Sequence, residues 1–402
     1  MSELKKQIPE EAKEILEIIE AHQFQAFFVG GCVRDSLLNK GMTDIDIATS
    51  AKPEEIMELF PVVIPIGLEH GTVLIRHKQV SYEITTFRTE STYSNQRHPD
   101  EVSFVTDIKK DLARRDFTIN AMALDYKNQL TDPFCGQMDL KRHIIRTVGR
   151  AEERFQEDAL RIIRALRFSS QLGFTIEQDT LLQMKQLNHN IDYISVERIT
   201  QEMNKFFQGN ALQTGLKYLR KTGIASHLPI IKELPEVMHQ IPEDLTPFQR
   251  FGEVIAFFYL IDQTYSIAAW TNAWKCSNKE KNIAKHLVEN VERWQQEGVS
   301  NWLIYQLDEA VYPMFIHLVS DLYNHPLNLK DLKNQRNALP IQAREELCID
   351  GKTLQHYFTN KKRGPWIGRL LQEMEYLVVI GKLNNNLTDI KEWIQCHPPG
   401  ND

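Results

Sequence analysis

The sequence has few of the features that mark membrane, secreted or zinc-binding proteins. No apolar run approaches the roughly 20 residues that span a bilayer. The amphipathic N-terminal stretch MSELKKQIPEEAKEILEII lacks the apolar core and small-residue cleavage site of a secretory signal. The five cysteines are scattered without a CxxC pair, which argues against a disulfide framework or a zinc site. We therefore expect a cytoplasmic protein with no membrane partner.

The sequence also has fewer basic than acidic residues, and its formal net charge is −7. A protein that binds nucleic acid through a wide basic face is usually basic overall. One stretch has the opposite sign, however, because residues 141–167 hold eight Lys and Arg against four carboxylates. A local basic stripe is enough to attract a polyanion, so a nucleotide or nucleic-acid partner stays open.

Neither a fixed-period repeat nor a low-complexity tract is present, and 402 residues are enough for two to four domains. Up to about residue 145, helix and strand patterns alternate, and VLIRHKQVSYEITTF predicts a β-hairpin that turns near His77–Gln79. After about 150 long helical patterns follow, the first of them over 151–171. We expect an α+β segment over 1–145 and all-helical segments over 146–207, 208–320 and 321–402.

The stretch TDIDIA contains two aspartates in strict alternation with apolar residues. On a strand, Asp44 and Asp46 would share one face while Ile45 and Ile47 point into a core. Mg²⁺ prefers hard oxygen ligands, commonly one or two carboxylates together with substrate phosphates and water. The pattern therefore indicates a Mg²⁺ site at Asp44 and Asp46, although taken alone it also fits an ordinary solvent-facing strand.

A glycine pair lies just upstream, in FVGGCVRDSLL. An apolar run, Gly30–Gly31 and then a helical pattern predict a turn from a strand into a helix. Glycine lets backbone N–H groups approach a phosphate closely, and a helix N-terminus adds a favourable dipole. Arg34 lies one turn into that helix, so the turn and the two aspartates together predict a site for a triphosphate and a metal.

These motifs resemble the signature of the DNA polymerase β-type nucleotidyltransferases. More narrowly, FVGGxVRDxLL and DIDIATSA resemble the class II tRNA nucleotidyltransferases, which are the CCA-adding enzymes, and the related bacterial poly(A) polymerases. Four further motifs follow in the family order: RRDFTINAMA (114–123), DPFCGQMDL (132–140), EDALRIIRALRF (157–168) and ISVERITQEM (194–203). The ordered matches cover about residues 26–207, and weaker ones occur at 349–355 and 363–371.

The resemblance implies a polymerase β-type α+β head, then an all-α neck, body and tail, with tRNA bound by the tail. It implies Mg²⁺ as cofactor, tRNA, CTP and ATP as partners, and, at family level, a homodimer. Asp44 and Asp46 would be the catalytic, metal-binding residues, and Asp116 and Asn120 would organise the site. Glu83 is a candidate third carboxylate, but a simple cross-strand charge fits it nearly as well. The implied nucleotide-binding residues are Gly31, Arg34, Arg115, Asp158, Arg161, Arg164 and Arg167.

The motif EDALRIIRALRF predicts an amphipathic helix with Asp158 and Arg161 as neighbours at its edge. Aspartate accepts a hydrogen bond from the amino group of cytosine or adenine, and arginine donates to the adjacent ring nitrogen. Uracil and guanine present the reverse order of donor and acceptor. Such a pair would admit C and A and reject U and G, whereas a surface ion pair would be worth little.

The sequence therefore predicts template-independent addition and repair of the 3′-terminal CCA of tRNA. A poly(A) polymerase, or an enzyme that adds only CC or only the last A, is the alternative within the family. A non-catalytic RNA-binding protein would be expected to have lost the two aspartates. The resemblance implies a shortened loop in CC-adding relatives, whereas the polar loop over residues 88–101 looks intact here. No His-Asp dipeptide indicates an added phosphohydrolase.

Overall fold

The computed structural model describes residues 8–42, 44–90 and 102–398. The chain divides into two compact units, Met1–His239 and Gln240–Asp402. The finer division predicted at 145, 207 and 320 stays a prediction. Within the described residues no helix has both the length and the apolar character needed to cross a membrane.

The first unit is built on a mixed seven-stranded sheet with the strand order β3-β4-β5-β2-β1-β8-β9. Only β2 and β5 run parallel, and the other neighbours are antiparallel. Two small two-stranded sheets, β6-β7 and β10-β11, accompany it. The strands are β1 Ala26–Val29, β2 Asp46–Thr49, β3 Val63–Gly67, β4 Thr72–His77, β5 Val80–Thr86, β6 Arg88–Glu90, β7 Val102–Phe104, β8 Ala123–Leu124, β9 Leu130–Thr131, β10 Ile144–Ile145 and β11 Thr175–Ile176.

Ten α-helices belong to the described part of the first unit. Among them α7 packs against both α9 and α10. The close approach needs Gly215, because a Cβ atom there would lie 2.6 Å from the Phe206 ring and 2.7 Å from Ser170. The helices are α1 Glu10–Ala21, α2 Gly31–Leu37, α3 Pro53–Leu59, α4 Ile108–Ala113, α5 Gly136–Arg142, α6 Ala151–Glu157, α7 Leu160–Leu172, α8 Gln178–Gln186, α9 Val196–Phe207 and α10 Leu212–Thr222.

The described part of the second unit contains α-helices and short 3₁₀ turns only. The aromatic rings of Phe258 and Trp270 stack 5.7 Å apart in its core. The helices are α11 Phe251–Ile261, α12 Ile267–Ala273, α13 Asn278–Glu297, α14 Asn301–Gln306, α15 Tyr312–Tyr323, α16 Leu329–Asn337, α17 Gly351–Tyr357, α18 Trp366–Val379 and α19 Leu387–Cys396.

A histidine between two carboxylates lies in the interior of this second unit. The Nδ1 atom of His317 is 2.6 Å from Glu253 Oε1, and its Nε2 atom is 3.1 Å from Asp321 Oδ2. Burial disfavours the imidazolium, but the two hydrogen-bonded carboxylates outweigh it and raise the pKa of His317 to about 9. The imidazolium therefore ties α11 to α15 at neutral pH.

Two sequence predictions about local structure have different outcomes. The hairpin is confirmed, since β4 and β5 pair antiparallel and Lys78 and Gln79 make the turn with φ of 46° and 67°. The single helix predicted over 151–171 is wrong, because Asp158 is extended (φ −147°, ψ 104°) and separates α6 from α7. The predicted loop over 88–101 lies outside the described residues except for β6, and Thr43 lies outside them as well.

The apolar stripe predicted for this segment survives the break. Its members Phe155, Ala159, Ile162, Ile163 and Leu166 are all fully buried. The interruption at Asp158 therefore leaves the packing face intact. What it changes is the direction in which the polar side chains at the start of α7 leave the backbone.

Candidate active site

A cavity of about 770 Å³ lies in the first unit, within the range usual for ligand sites. Its wall carries nine Lys and Arg side chains and six carboxylates, a surplus of three positive charges in a chain whose net charge is −7. Such a wall favours an anionic ligand. It contains every residue that the sequence predicted for the site: Gly31, Arg34, Asp44, Asp46, Arg115, Asp158, Arg161, Arg164 and Arg167.

Three carboxylates lie on one side of this cavity. Asp46 opens β2 and is in register with Glu83 of the parallel strand β5, so the two side chains share a face of the sheet. The strand β2 begins only at Asp46, so Asp44 lies just before it rather than within it, and both carboxylates reach the cavity. Glu83 is a neighbour that the sequence argument left undecided.

The surroundings of Asp46 and Glu83 disfavour the ionised form of both carboxyl groups. Burial and the nearby Asp44 raise the pKa of Asp46 above its usual value, against the opposing effect of Arg115. Burial and Asp46 likewise raise the pKa of Glu83. Carboxylate oxygens that repel one another at a cavity wall fit a divalent cation. Nevertheless, no cluster of three or more His, Cys, Asp or Glu with metal-holding geometry occurs among residues 8–42, 44–90 and 102–398.

The glycine turn packs tightly against this group. Gly30 has φ 72° and ψ −129° at the start of α2, in the region that other residues rarely adopt. A Cβ atom on Gly30 would lie 3.0 Å from Arg115 Nη1 and 3.6 Å from Asp46 Oδ2. The glycine therefore lets the backbone, the Arg115 guanidinium and the Asp46 carboxylate meet at one point.

Asp116 connects the sheet side of the cavity with α7. Its Oδ2 accepts hydrogen bonds from Arg164 Nε at 2.7 Å and Nη2 at 2.6 Å, and its Oδ1 accepts from Asn120 Nδ2 at 3.1 Å. The amide oxygen of Asn120 accepts in turn from Arg34 Nη1 at 2.8 Å. Burial opposes ionisation of Asp116, but Arg164 and Asn120 outweigh it and lower its pKa.

Glu202 of α9 completes this network from the other side. Its carboxylate lies 3.5 Å from Arg164 Nη1 and 3.1 Å from Arg167 Nη1. Burial and the neighbouring Arg164 lower the pKa of Arg167 to about 10, with Glu202 acting in the opposite direction. The two guanidiniums thus share Glu202, and Arg164 has Asp116 as a second buried partner.

Asp158 and Arg161 both reach the cavity, but they do not lie on one helix as predicted, and the alternative of an ion pair between them is not formed. The Leu160 N–H donates to Asp158 Oδ1 at 3.0 Å, and Arg198 Nη2 donates to Asp158 Oδ2 at 2.8 Å. Arg161 donates instead to Glu157 Oε2 at 2.6 Å and to the carbonyl oxygen of Arg114 at 3.0 Å. The reason is the helix break at Asp158, which turns its carboxylate into a cap of α7 and aims it at α9.

Sequence reasoning missed the roles of Arg198 and Glu202. Both belong to the motif ISVERITQEM, which entered the sequence analysis only through its resemblance to the family. They are four residues apart in α9 and therefore share one face, the face that carries their contacts to Asp158 and Arg164. Charged residues at that spacing on an otherwise amphipathic helix were the signal available in the sequence.

The chain is similar to known proteins over most of its length. Residues 26–146 match the family described as Poly A polymerase head domain, residues 173–234 the Probable RNA and SrmB-binding site of polymerase A, and residues 252–394 the putative tRNA nucleotidyltransferase domain 2. The chain is 46% identical over 389 residues to the CCA-adding enzyme of Oceanobacillus iheyensis, covering 96% of this chain and 97% of that one. A CCA-adding enzyme of Bacillus cereus is 39% identical over 96% of this chain and 97% of its own.

Solved structures show the same likeness. The Bacillus stearothermophilus CCA-adding enzyme in complex with CTP has a TM-score of 0.86 at 33% identity, over 96% of each chain. The Thermotoga maritima CCA-adding enzyme complexed with tRNA shares the fold, with a TM-score of 0.65 at 22% identity over 98% of each chain. An α+β polymerase head followed by a mostly helical region is therefore confirmed. The chain belongs to the family of CCA-adding enzymes, the tRNA nucleotidyltransferases that its sequence motifs predicted.

Proposed function

We infer that this chain adds and repairs the 3′-terminal CCA of tRNA, using CTP and ATP and no nucleic-acid template. The terminal tRNA hydroxyl attacks the α-phosphate of the bound nucleotide, and pyrophosphate leaves. The observation that carries this inference is the convergence of the family's motif residues on one basic cavity. A nucleotidyl transfer of this kind depends mainly on positioning and on stabilising charge, which is what such a wall offers.

We propose that Asp44 and Asp46 hold Mg²⁺ in this cavity. Burial and, to a lesser extent, repulsion by Asp44 raise the pKa of Asp46, and this supports the assignment because a bound cation would stabilise the ionised carboxylates. Mg²⁺ would activate the attacking hydroxyl and neutralise the departing pyrophosphate. Glu83, in register with Asp46, would support the pair from β5.

The arginines would divide between the two ends of the nucleotide. Arg34 and Arg115 lie beside the glycine turn and suit the phosphates, whereas Asp158 and Arg161 suit the base. Each carboxylate oxygen of Asp158 has two lone pairs, so its bonds to Leu160 and Arg198 leave capacity for a base amino group. An acceptor held in this way favours cytosine and adenine over uracil and guanine.

Incubation of a tRNA that ends before CCA with labelled nucleotides tests the function. Addition of C, C and A in that order supports the inference. Repeated addition of A would indicate a poly(A) polymerase, and a stop after CC, or addition only to a tRNA that already ends in CC, would indicate a partial enzyme.

Asp44→Ala tests the metal assignment separately. We expect incorporation to be abolished while tRNA binding, measured by filter retention, stays within about twofold. Full activity of this variant would rule out the Asp44–Asp46 metal site. Inactivity of the wild-type protein with every nucleotide, together with retained tRNA binding, would instead favour a non-catalytic RNA-binding protein.

We also propose that residues 321–402 contact tRNA, that the protein is a homodimer and that it is cytoplasmic. The match of residues 252–394 to a tRNA nucleotidyltransferase domain supports the first of these. Protection of Lys361 and Lys362 from amine-reactive reagents upon addition of tRNA would test the contact. Sedimentation equilibrium of the full chain, of 46.8 kDa, would distinguish a monomer from a dimer.

A further inference from the structure

An aromatic ring on the cavity wall lies under three guanidinium groups. The Cζ atoms of Arg34, Arg164 and Arg167 are 5.2, 5.4 and 4.2 Å from the ring centroid of Phe168. The Phe168 side chain is only 2% exposed, and its ring meets that of Phe117 at 5.7 Å with an interplanar angle of 85°. The three cations come from α2 and α7, so the ring is the group that they have in common.

The face of an aromatic ring carries partial negative charge and attracts cations within about 6 Å of its centroid. A guanidinium held over a ring still has its N–H donors at its edge, available for phosphate oxygens. Each guanidinium has its own polar partners, and Phe168 adds one contact that all three share. The ring attracts the cations without occupying the N–H donors that a carboxylate at the same position would bind.

Each cation around the ring also has a carboxylate partner, but one hydrogen-bond donor is left over. Arg34 pairs with Asp35, Arg164 pairs with Asp116, and Arg164 and Arg167 share Glu202. The Nε atom of Arg167 is buried and has no hydrogen-bond partner among the described residues, and the Arg167 side chain as a whole is 7% exposed. A buried donor without an acceptor is costly, so the Arg167 Nε–H favours one more acceptor, such as a phosphate oxygen.

We propose that Phe168 is a positioning residue, which gathers Arg34, Arg164 and Arg167 into one binding site for the triphosphate of the incoming nucleotide. The proposal rests on the proposed function, since it assigns the substrate group that these arginines bind. It predicts that loss of the ring weakens the binding of triphosphates much more than the binding of monophosphates. A role of Phe168 in packing alone would weaken both equally.

The test is calorimetric titration of the full-length chain with CTP and with CMP, which needs no catalysis. For Phe168→Leu we expect the Kd of CTP to rise about tenfold, the worth of one desolvated cation–π contact, and that of CMP by less than about threefold. Phe168→Tyr keeps the ring face and should restore the CTP affinity to within about threefold. The matched control is Phe155→Leu, since Phe155 is equally buried in the preceding helix.

Four outcomes decide the proposal. It is supported if Phe168→Leu loses CTP affinity selectively while Phe155→Leu does not. It is overturned if Phe168→Leu binds CTP like wild type, if CTP and CMP weaken in parallel, or if Phe168→Tyr fails to rescue while melting at the wild-type temperature. Where the leucine variant does not fold, Phe168→Met fills the same space without an aromatic face. Failure of the proposed function would show as absent incorporation by the wild-type protein, whatever the binding results.

Discussion

Replacing Asp158 by asparagine changes the chemistry of the proposed base-reading position with almost no change in shape. In the folded protein Asp158 Oδ1 accepts from the Leu160 N–H at 3.0 Å, and Oδ2 accepts from Arg198 at 2.8 Å. An amide has one oxygen, so it can satisfy only one of these donors. Its NH₂ group must then face the other donor or turn into the cavity.

The structure sets the size of both consequences. The Arg198–Asp158 contact is a charge-assisted hydrogen bond between side chains that are 26% and 18% exposed. Such bonds contribute about 1.5–3 kcal/mol, and partial exposure favours the lower figure. An NH₂ group in the cavity would donate to the carbonyl of uracil or guanine, so discrimination for C and A should fall by about tenfold, roughly 1.4 kcal/mol.

The assay is kcat/KM for single additions of CTP, ATP, UTP and GTP to a tRNA that ends before CCA or before its last A. Asp179→Asn, an exposed aspartate at the start of α8, is the control for the change of charge. Chemical denaturation gives the change in the free energy of unfolding. If Asp158→Asn loses stability but keeps the wild-type ratio of C and A to U and G, the idea that this carboxylate reads the base is refuted.

Three further predictions concern other positions. Gly30→Ala forces a Cβ atom to 3.0 Å from Arg115 Nη1 at φ 72°, so we expect a loss of about 1–3 kcal/mol in denaturation and weaker CTP binding. Asp46→Asn removes a charge that its surroundings disfavour, so without divalent cations the free energy of unfolding should rise by less than roughly 1 kcal/mol and the melting temperature should rise with it. Nucleotide incorporation should be lost. A lower melting temperature would contradict this reasoning. The pKa of His317 rises from 6.5 to about 9 on folding, so protonation of this side chain stabilises the folded state by about 3 kcal/mol. This contribution to the free energy of unfolding is complete below pH 6.5 and is lost as the pH rises through 9. His317→Gln should lack this pH dependence in chemical denaturation.

The motifs could predict which residues form the site because each is a local pattern with a local meaning. A glycine pair between a strand and a helix, or a hairpin turn at Lys78–Gln79, depends on neighbours within a few positions. The order of strands in the sheet is not of this kind. It places β2 beside β5 and brings Asp46 opposite Glu83, 37 residues along the chain, which no local periodicity records.

The break at Asp158 was unpredictable for a related reason. The apolar spacing of Phe155, Ala159 and Ile162 continues through it, so the pattern alone indicates one helix. What favours the extended conformation is a set of contacts: the carboxylate caps the Leu160 N–H and binds Arg198, forty residues away. Tertiary partners decide the local backbone here, and sequence reasoning had no means of naming them.

This difference changes the physical account of how a protein could read two bases. An Asp158–Arg161 pair that bonded to itself would compete with the nucleotide for its own donors and acceptors. In the structure each of these side chains forms an ion pair with another residue, Asp158 with Arg198 and Arg161 with Glu157. Side chains that are already held in place lose less conformational entropy when a base binds, and Asp158 and Arg161 do not have to break a bond to each other first. On the proposed base-reading role, specificity depends on residues that need not touch the base.

Arg198→Lys keeps the charge but not the planar guanidinium. It should therefore lower discrimination more than it lowers the rate of CTP addition, as measured by the ratio of kcat/KM for CTP and UTP. Equal losses for the two nucleotides would place Arg198 in general support of the fold instead.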